Sequence, residues 1–158
     1  MGTWILTNSL KNLNLPFPRN FGTSVSYTEG KIDSQDSGDY DTYMGGDRIP
    51  PVKIVSYVSY KWNNKFDARL SYIYSGDRNR FEPNDNGSYT YGKGPVDSFN
   101  ILNLTTNYQL TPSTKVGLGI KNLLNEDYYN PISQWNARDS NYIKANGTQF
   151  NVSLTVNL

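Results

Sequence analysis

The sequence predicts an all-β chain: an antiparallel up-and-down meander of about six to seven strands, forming part of a transmembrane β-barrel. Three observations predict it. Apolar and polar residues alternate with period two through most of the chain. The connections between alternating segments run short, long, short, long, short, long. The 158 residues hold 13 Tyr and 14% aromatics but neither Cys nor His.

Taken in order, residues 3–13 read as a first strand, with Trp4, Leu6 and Leu10 on one side. Residues 20–32 read as a weaker second strand, carried by Phe21, Thr23, Val25 and Tyr27. Val52, Ile54, Ser56, Val58, Tyr60 and Trp62 share one face of a third. Lys53 and Lys61 fix its phase, because lysines belong on the wetter side. Phe66, Ala68, Leu70, Tyr72 and Tyr74 alternate with Asp67, Arg69, Ser71, Ile73 and Ser75. Leu102, Leu104, Thr106, Tyr108 and Leu110 follow in a fifth strand, and Val116, Leu118 and Ile120 in a sixth. The last strand is the cleanest: Phe150, Val152, Leu154, Val156 and Leu158 are apolar, and the residues between them, Gln149 to Asn157, are polar. No segment shows a helical period.

The connections discriminate between β architectures. The short ones are Asn14–Arg19, Asn63–Lys65 and Thr111–Thr114. The long ones, roughly 34–47, 76–97 and 123–146, are rich in Gly, Asp, Asn, Ser and Tyr. Tight turns at one end and long loops at the other are expected of outer-membrane barrels. Most of the clearer strands also reach the ~9–11 residues that a tilted strand needs to cross a bilayer, the one starting at Lys115 being shorter by alternation. Strands of a soluble sandwich are shorter, commonly about 5–6 residues. Tyr60, Trp62, Phe66 and Tyr108 fall at short-turn ends, and Tyr72 and Tyr74 at a long-loop end, which suits two interfacial girdles. Cross-strand packing of rings in any sheet is the alternative.

Composition excludes much. Mean hydropathy is −0.66, and no apolar run approaches the roughly 18 residues of a transmembrane helix. A barrel is compatible with that value because its lipid-facing and lumen-facing residues alternate. Fifteen basic residues against 14 acidic ones give no nucleic-acid footprint. Without Cys and His there are no disulfides, no thiol nucleophile, no Ser-His or Cys-His catalysis and essentially no zinc site. A carboxylate-pair glycosidase is the natural enzyme left, and no acidic pair sits in a recognisable frame, so no enzyme and no cofactor are expected. A passive porin-like barrel and a soluble glycan-binding β-sandwich remain as alternatives.

The stretch Gly119-Ile120-Lys121-Asn122-Leu123-Leu124-Asn125-Glu126-Asp127-Tyr128-Tyr129 resembles the V-x-N-L-F-N-x-x-Y motif near the end of TonB-dependent outer-membrane receptors. Arg48-Ile49-Pro50-Pro51 resembles the proline-marked start of a descending strand in that family, and Pro95-Val96-Asp97-Ser98-Phe99 the start of a later one. The final residues resemble the C-terminal signal read by the barrel-assembly machinery, here Phe150, Val152, Leu154, Val156 and Leu158. Leu124 stands where the family usually has Phe, and Leu158 where it usually has a terminal aromatic. The family is built as a barrel of roughly 22 strands with an N-terminal plug and a segment that engages TonB. Met1-Gly2 leads straight into strand-like sequence, with no signal-peptide pattern. Residues 1–158 are therefore expected to be the C-terminal segment of such a receptor barrel, without plug or earlier strands, from a truncated or fragmentary gene. The resemblance implies an outer-membrane location, contact with lipid and lipopolysaccharide, and uptake of a scarce nutrient, with a ferric siderophore the first expectation.

In that setting the long loops supply the candidate ligand residues. Arg78, Arg80, Tyr89, Tyr91 and Lys93 lie in the second. Tyr128, Tyr129, Trp135, Arg138 and Tyr142 lie in the third. The six favoured for ligand binding are Arg78, Arg80, Tyr89, Tyr91, Trp135 and Arg138. Arg offers charge-assisted hydrogen bonds, and rings offer stacking, to an anionic aromatic ligand. Lipopolysaccharide phosphates and ordinary loop packing use the same residue types. Asp33, Asp36, Asp39 and Asp41 form a spaced acidic cluster, but the Gly and distal Glu of a calcium loop are misplaced. A solvated loop is the expected reading, and no metal is expected. Lys53, Asp67, Arg69 and Lys121 should point into the lumen, chiefly as ion pairs, because a cation facing lipid at mid-membrane costs roughly 2–4 kcal/mol.

Overall fold

The computed structural model describes residues 2–9, 19–33, 35–44, 49–79, 86–87, 95–136 and 143–157. Seven strands form one antiparallel sheet: β1 (Gly2–Ser9), β2 (Arg19–Tyr27), β5 (Lys53–Lys61), β6 (Phe66–Ser75), β7 (Phe99–Thr111), β8 (Thr114–Lys121) and β9 (Gln149–Val156). Each pairs with the next, and no connection crosses another. That order rules out a two-layer sandwich with Greek-key crossings. Two short strands, β3 (Lys31–Ile32) and β4 (Thr42–Tyr43), pair with each other inside the first long connection.

Residues directly opposite on neighbouring strands share a face, so the register tests the alternation row by row. One row runs Phe21, Val58, Leu70, Leu104, Ile120, Phe150 across β2 and β5 to β9. The adjacent row runs Asn20, Ser59, Arg69, Thr105, Gly119, Asn151. Every member of the first is apolar; every member of the second is polar or glycine. A slip of one residue in any pairing would mix the rows. On the apolar face the Thr23 and Ser56 hydroxyls, 3.1 Å apart, satisfy each other.

The apolar face is uncovered. Phe150 is 70% and Val152 77% exposed, and among the described residues no second layer packs against it. The aromatic residues on this face gather at two levels. Tyr60, Phe66 and Tyr108 lie near the short turns, with Phe66 opposite Tyr108 and the rings of Tyr60 and Trp62 in edge contact at 5.6 Å. Tyr27, Tyr74 and Phe150 lie at the long-loop end.

Both described short turns are closed by side chains. The Asn63 carboxamide oxygen accepts the backbone N–H groups of Lys65 and Phe66 at 2.8 and 2.9 Å, an Asx turn. At Pro112 the ladder of β7 and β8 shifts register between Gln109 and Thr111, and the Gln109 amide donates to the Thr111 carbonyl at 2.8 Å. The Asn14–Arg19 connection lies outside the described residues up to Pro18.

Two expectations are corrected. The second strand ends at Tyr27, and the segment read as its continuation forms the β3–β4 hairpin, with Lys31 Nζ 4.9 Å from the Tyr43 ring centroid. The third long connection holds a short helix, α1 (Pro131–Asn136), where no helix was expected. The Asn130 carbonyl accepts the N–H groups of Ser133 and Gln134, and Pro131 takes the first helical position, where its missing N–H costs nothing.

Candidate functional site

Among the described residues the buried apolar side chains sit at the long-loop end: Ile49, Val96 and Ile101. This end is organised around Arg78. The Arg78 and Val96 backbones form an isolated bridge, each N–H donating to the other's carbonyl at 2.9 Å. The Arg78 guanidinium donates through Nε to the Ile49 carbonyl at 3.3 Å and through Nη2 to the Thr28 carbonyl at 3.5 Å. Glu29 Oε1 lies 3.7 Å from Nη2, with the two side chains 10% and 19% exposed. The two proline-marked segments of the sequence thus converge on one arginine and tie the first long connection to the second.

The second connection is tied to the third through α1. Gln134 is buried; its Oε1 accepts the Asp97 N–H at 2.9 Å, and its Nε2 donates to the Tyr129 carbonyl at 3.1 Å. The Tyr128 ring stacks on Phe99, centroids 4.6 Å apart.

The third connection is held by the Asn-Leu-Leu-Asn motif. Asn122 and Asn125 have φ of 51° and 53°, the left-handed region that asparagine tolerates better than most residues. Asn122 is 2% exposed. Its Oδ1 accepts the Glu126 N–H at 2.8 Å and its Nδ2 donates to the Glu126 carbonyl at 2.8 Å. The Thr148 hydroxyl donates to the Asn122 carbonyl at 2.8 Å, and the Thr148 N–H to Asn125 Oδ1 at 3.0 Å. The motif is a clasp that returns the chain to β9.

The polar face of β5 to β9 carries Lys53, Lys61, Arg69, Lys115 and Lys121 against the single acid Asp67. Ion pairing among them was expected, but different contacts form. Asp67 accepts the Asn107 amide at 2.8 Å. The Arg69 guanidinium carbon lies 3.7 Å from the Tyr57 ring centroid, a cation–π stack. Gly22 makes room for that stack: a Cβ there would fall 2.5 Å from Tyr57 Cε1. The face is electropositive, and much of its charge is unneutralised within the described residues.

Of the ligand residues expected from sequence, Arg78 is the buried tie just described. Trp135 belongs to α1. Arg80, Tyr89, Tyr91 and Arg138 lie outside the described residues. Phe150, Val152, Leu154 and Val156 share the exposed apolar face; Leu158 is outside the described residues. Asp33 is a loop organiser: its carboxylate accepts the N–H groups of Ser37, Gly38 and Gln35 and the Ser37 hydroxyl. The Ser37 and Gly38 bonds hold its carboxyl below the usual carboxylate range. Among the described residues no three acidic side chains gather to hold a metal. In the third connection Asp127 pairs with Lys144 at 2.9 Å, which raises the Lys144 pKa through the hydrogen bond and the charge.

Sequence reasoning missed Gln134, because one glutamine in a Tyr- and Asn-rich loop has no distinguishing spacing. It also missed the Arg69–Tyr57 stack. Here a signal existed, since the residues sit on neighbouring strands with a glycine opposite the ring.

A family model described as TonB dependent receptor-like, beta-barrel, matches residues 9–123. Among solved structures the chain is similar to the copper transporter OprC, with TM-score 0.63 and 16% identity over 98% of this chain and 22% of that one. It is also similar to the ferric enterobactin receptor PfeA of Pseudomonas aeruginosa in complex with enterobactin, with TM-score 0.62 and 15% identity over 96% of this chain and 21% of that one. The chain spans about a fifth of the length of these structures; at such identity the likeness is one of fold.

Proposed function

The chain belongs to the TonB-dependent receptor-like β-barrel family, and on that premise we propose that residues 1–158 form a C-terminal stretch of barrel wall in an outer-membrane receptor for TonB-dependent nutrient uptake. The carried nutrient is a ferric siderophore. The apolar face meets lipid, the polar face lines the lumen, and the long connections face outward to receive ligand. Remaining strands and a plug complete the receptor, TonB supplies energy to it, and the last strand is read by the barrel-assembly machinery. Outer-leaflet lipopolysaccharide borders the loop end.

One observation carries this reading: the division of the sheet into a largely apolar face and a largely polar, cationic one. Turned the other way, the sheet would present Arg69 to hydrocarbon at roughly 2–4 kcal/mol near the midplane, and the lysines nearer the ends at about 0–1 kcal/mol each. It would also bury the asparagine row without water. The electropositive lumen suits an anionic cargo, and one of the similar structures is a ferric enterobactin receptor.

Uptake of radiolabelled iron in cells tests the proposal. Deleting the gene, or the TonB gene, should abolish uptake from at least one ferric siderophore and leave passive entry of small sugars unchanged. Loss of copper uptake with every ferric siderophore unaffected would overturn the iron assignment. Uptake that persists without TonB would overturn energised transport.

A further inference from the structure

We infer that the cleft beneath the third long connection is a subsite for a small aromatic oxyanion, read by a donor row of Asn103, Lys121 and Gln149. This rests on the reading of the polar face as the lumen wall. The cleft encloses about 490 Å³, within the size range of small-molecule sites.

The donor row follows from register. Lys121 and Gln149 are directly paired across β8 and β9, and Asn103 continues the same row on β7, beyond the Leu104–Ile120 pair. Asn103 Oδ1 accepts the Asn122 N–H at 2.9 Å, so the partner's chemistry fixes the flip of the amide. Its oxygen is used, and its NH2 remains as donor. Neither the Lys121 nor the Gln149 side chain has a hydrogen-bond or ion-pair partner among the described residues. Lys144 also lines the cleft, but Asp127 already pairs with it. The ammonium left for a ligand is that of Lys121.

The rest of the lining is what an aromatic body needs. Ile73 and Ile101 face each other across β6 and β7 on a face that is otherwise largely polar, and both line the cleft. Tyr128 stands beside them, its ring held against Phe99. Two isoleucines and a fixed ring give a flat apolar body a place to lie, and the donors meet its oxygens at one edge. A bare inorganic anion would use the donors and leave the apolar floor empty.

The test uses the full-length gene product in detergent, with salicylate as probe, salicylamide as its neutral counterpart and inorganic phosphate as an anion without a ring, read by calorimetry. Salicylate should bind more tightly than either control. Lys121→Gln should weaken it by about tenfold or more, the loss of one charge-assisted hydrogen bond. Lys121→Arg should retain most of the affinity, and Lys144→Gln, which also leaves Asp127 without its partner, should weaken it less than Lys121→Gln does. Equal binding by the wild type and Lys121→Gln, loss in Lys144→Gln instead, or phosphate matching salicylate overturns the subsite. A separate readout addresses the lumen. In outer-membrane vesicles, Lys121→Cys should react with a charged, water-soluble maleimide and Val152→Cys should not. The reverse pattern overturns the lumen reading whatever salicylate does.

Discussion

Asn122 offers the sharpest test of the clasp between β8 and β9. Two physical contributions meet in it and can be separated. The first is hydrogen bonding. Its carboxamide makes two 2.8 Å bonds to the Glu126 backbone at a site 2% exposed. Truncation removes both and leaves the Glu126 N–H and carbonyl to find water; at about 1 kcal/mol net per bond, rising to ~1–3 for a group left unpaired, the loss is roughly 2–4 kcal/mol. The second is conformational. At φ of 51° a Cβ-bearing residue other than Asn adds about 1 kcal/mol, which glycine avoids. Asn122→Ala should therefore be the worse variant and Asn122→Gly should recover about fivefold in the folding equilibrium. Asn122→Asp keeps the acceptor for the Glu126 N–H but turns an oxygen toward the Glu126 carbonyl, so it should resemble the glycine variant or fall below it. Equilibrium urea unfolding of the full-length gene product in lipid vesicles measures the sum, and hydrogen exchange at the Glu126 amide measures the local effect. Indistinguishable Ala and Gly variants would remove the left-handed backbone from the account, and a fully stable Asp variant would remove the Nδ2 bond.

Three further outcomes are expected. Val152→Arg should cost roughly 2–4 kcal/mol if that position reaches mid-bilayer, and Ser153→Arg far less. Because both a barrel and a soluble core would penalise Val152→Arg, the deciding measurement is a fluorophore on Val152→Cys, which lipid-tail nitroxides should quench and which they should not quench on Ser153→Cys. Gly22→Ala would bring a Cβ to 2.5 Å from Tyr57 Cε1 and should cost about 1–3 kcal/mol. That cost should vanish in a Tyr57→Ser background, and an undiminished cost in the double-mutant cycle means the ring is not what Gly22 accommodates. Asp33 has its folded pKa depressed, so its contribution is present above the ordinary carboxylate range of ~4 and is lost as pH falls through the lowered value. Amide exchange at Ser37, Gly38 and Gln35, after correction for intrinsic rates, should accelerate on acidification below that range. Asp33→Ala should already exchange fast at neutral pH, and a protected Ala variant refutes the assignment.

The strands were legible because each must satisfy two solvents at once. A residue such as Leu70 between Arg69 and Ser71 has its face decided by its neighbours alone, and the pairing of β5 to β9 repeats that decision row after row. The β3–β4 pair and α1 were not legible, since two-residue strands carry no period and a six-residue helix has fewer than two turns in which to show one. Arg78 illustrates a different failure. A loop arginine beside tyrosines reads as a ligand contact, and only the fold shows that the carbonyls of Thr28 and Ile49 converge on it. Lys121 was legible as a polar-face residue from strand phase, but its place in a cleft depends on how the third connection folds back, which no local pattern encodes.

The ties between long connections have a consequence for how such a wall diversifies. Arg78 joins the first connection to the second, Gln134 the second to the third, and Asn122 with Asn125 returns the third to the sheet. The Arg78 and Asn122–Asn125 ties are made at loop roots, close to where a strand ends, whereas Gln134 reaches the root at Asp97 from the middle of the third connection. Insertions, deletions or swaps that spare the tied residues therefore leave the ties and the strand register untouched. Splice points just outside Arg78 and Val96, or between the helix and Lys144, are natural junctions for chimeras that trade outer segments between receptors while retaining one wall. Junctions cut inside the ties should yield wall segments that lose their neighbours' support together, because the three roots share one chain of contacts.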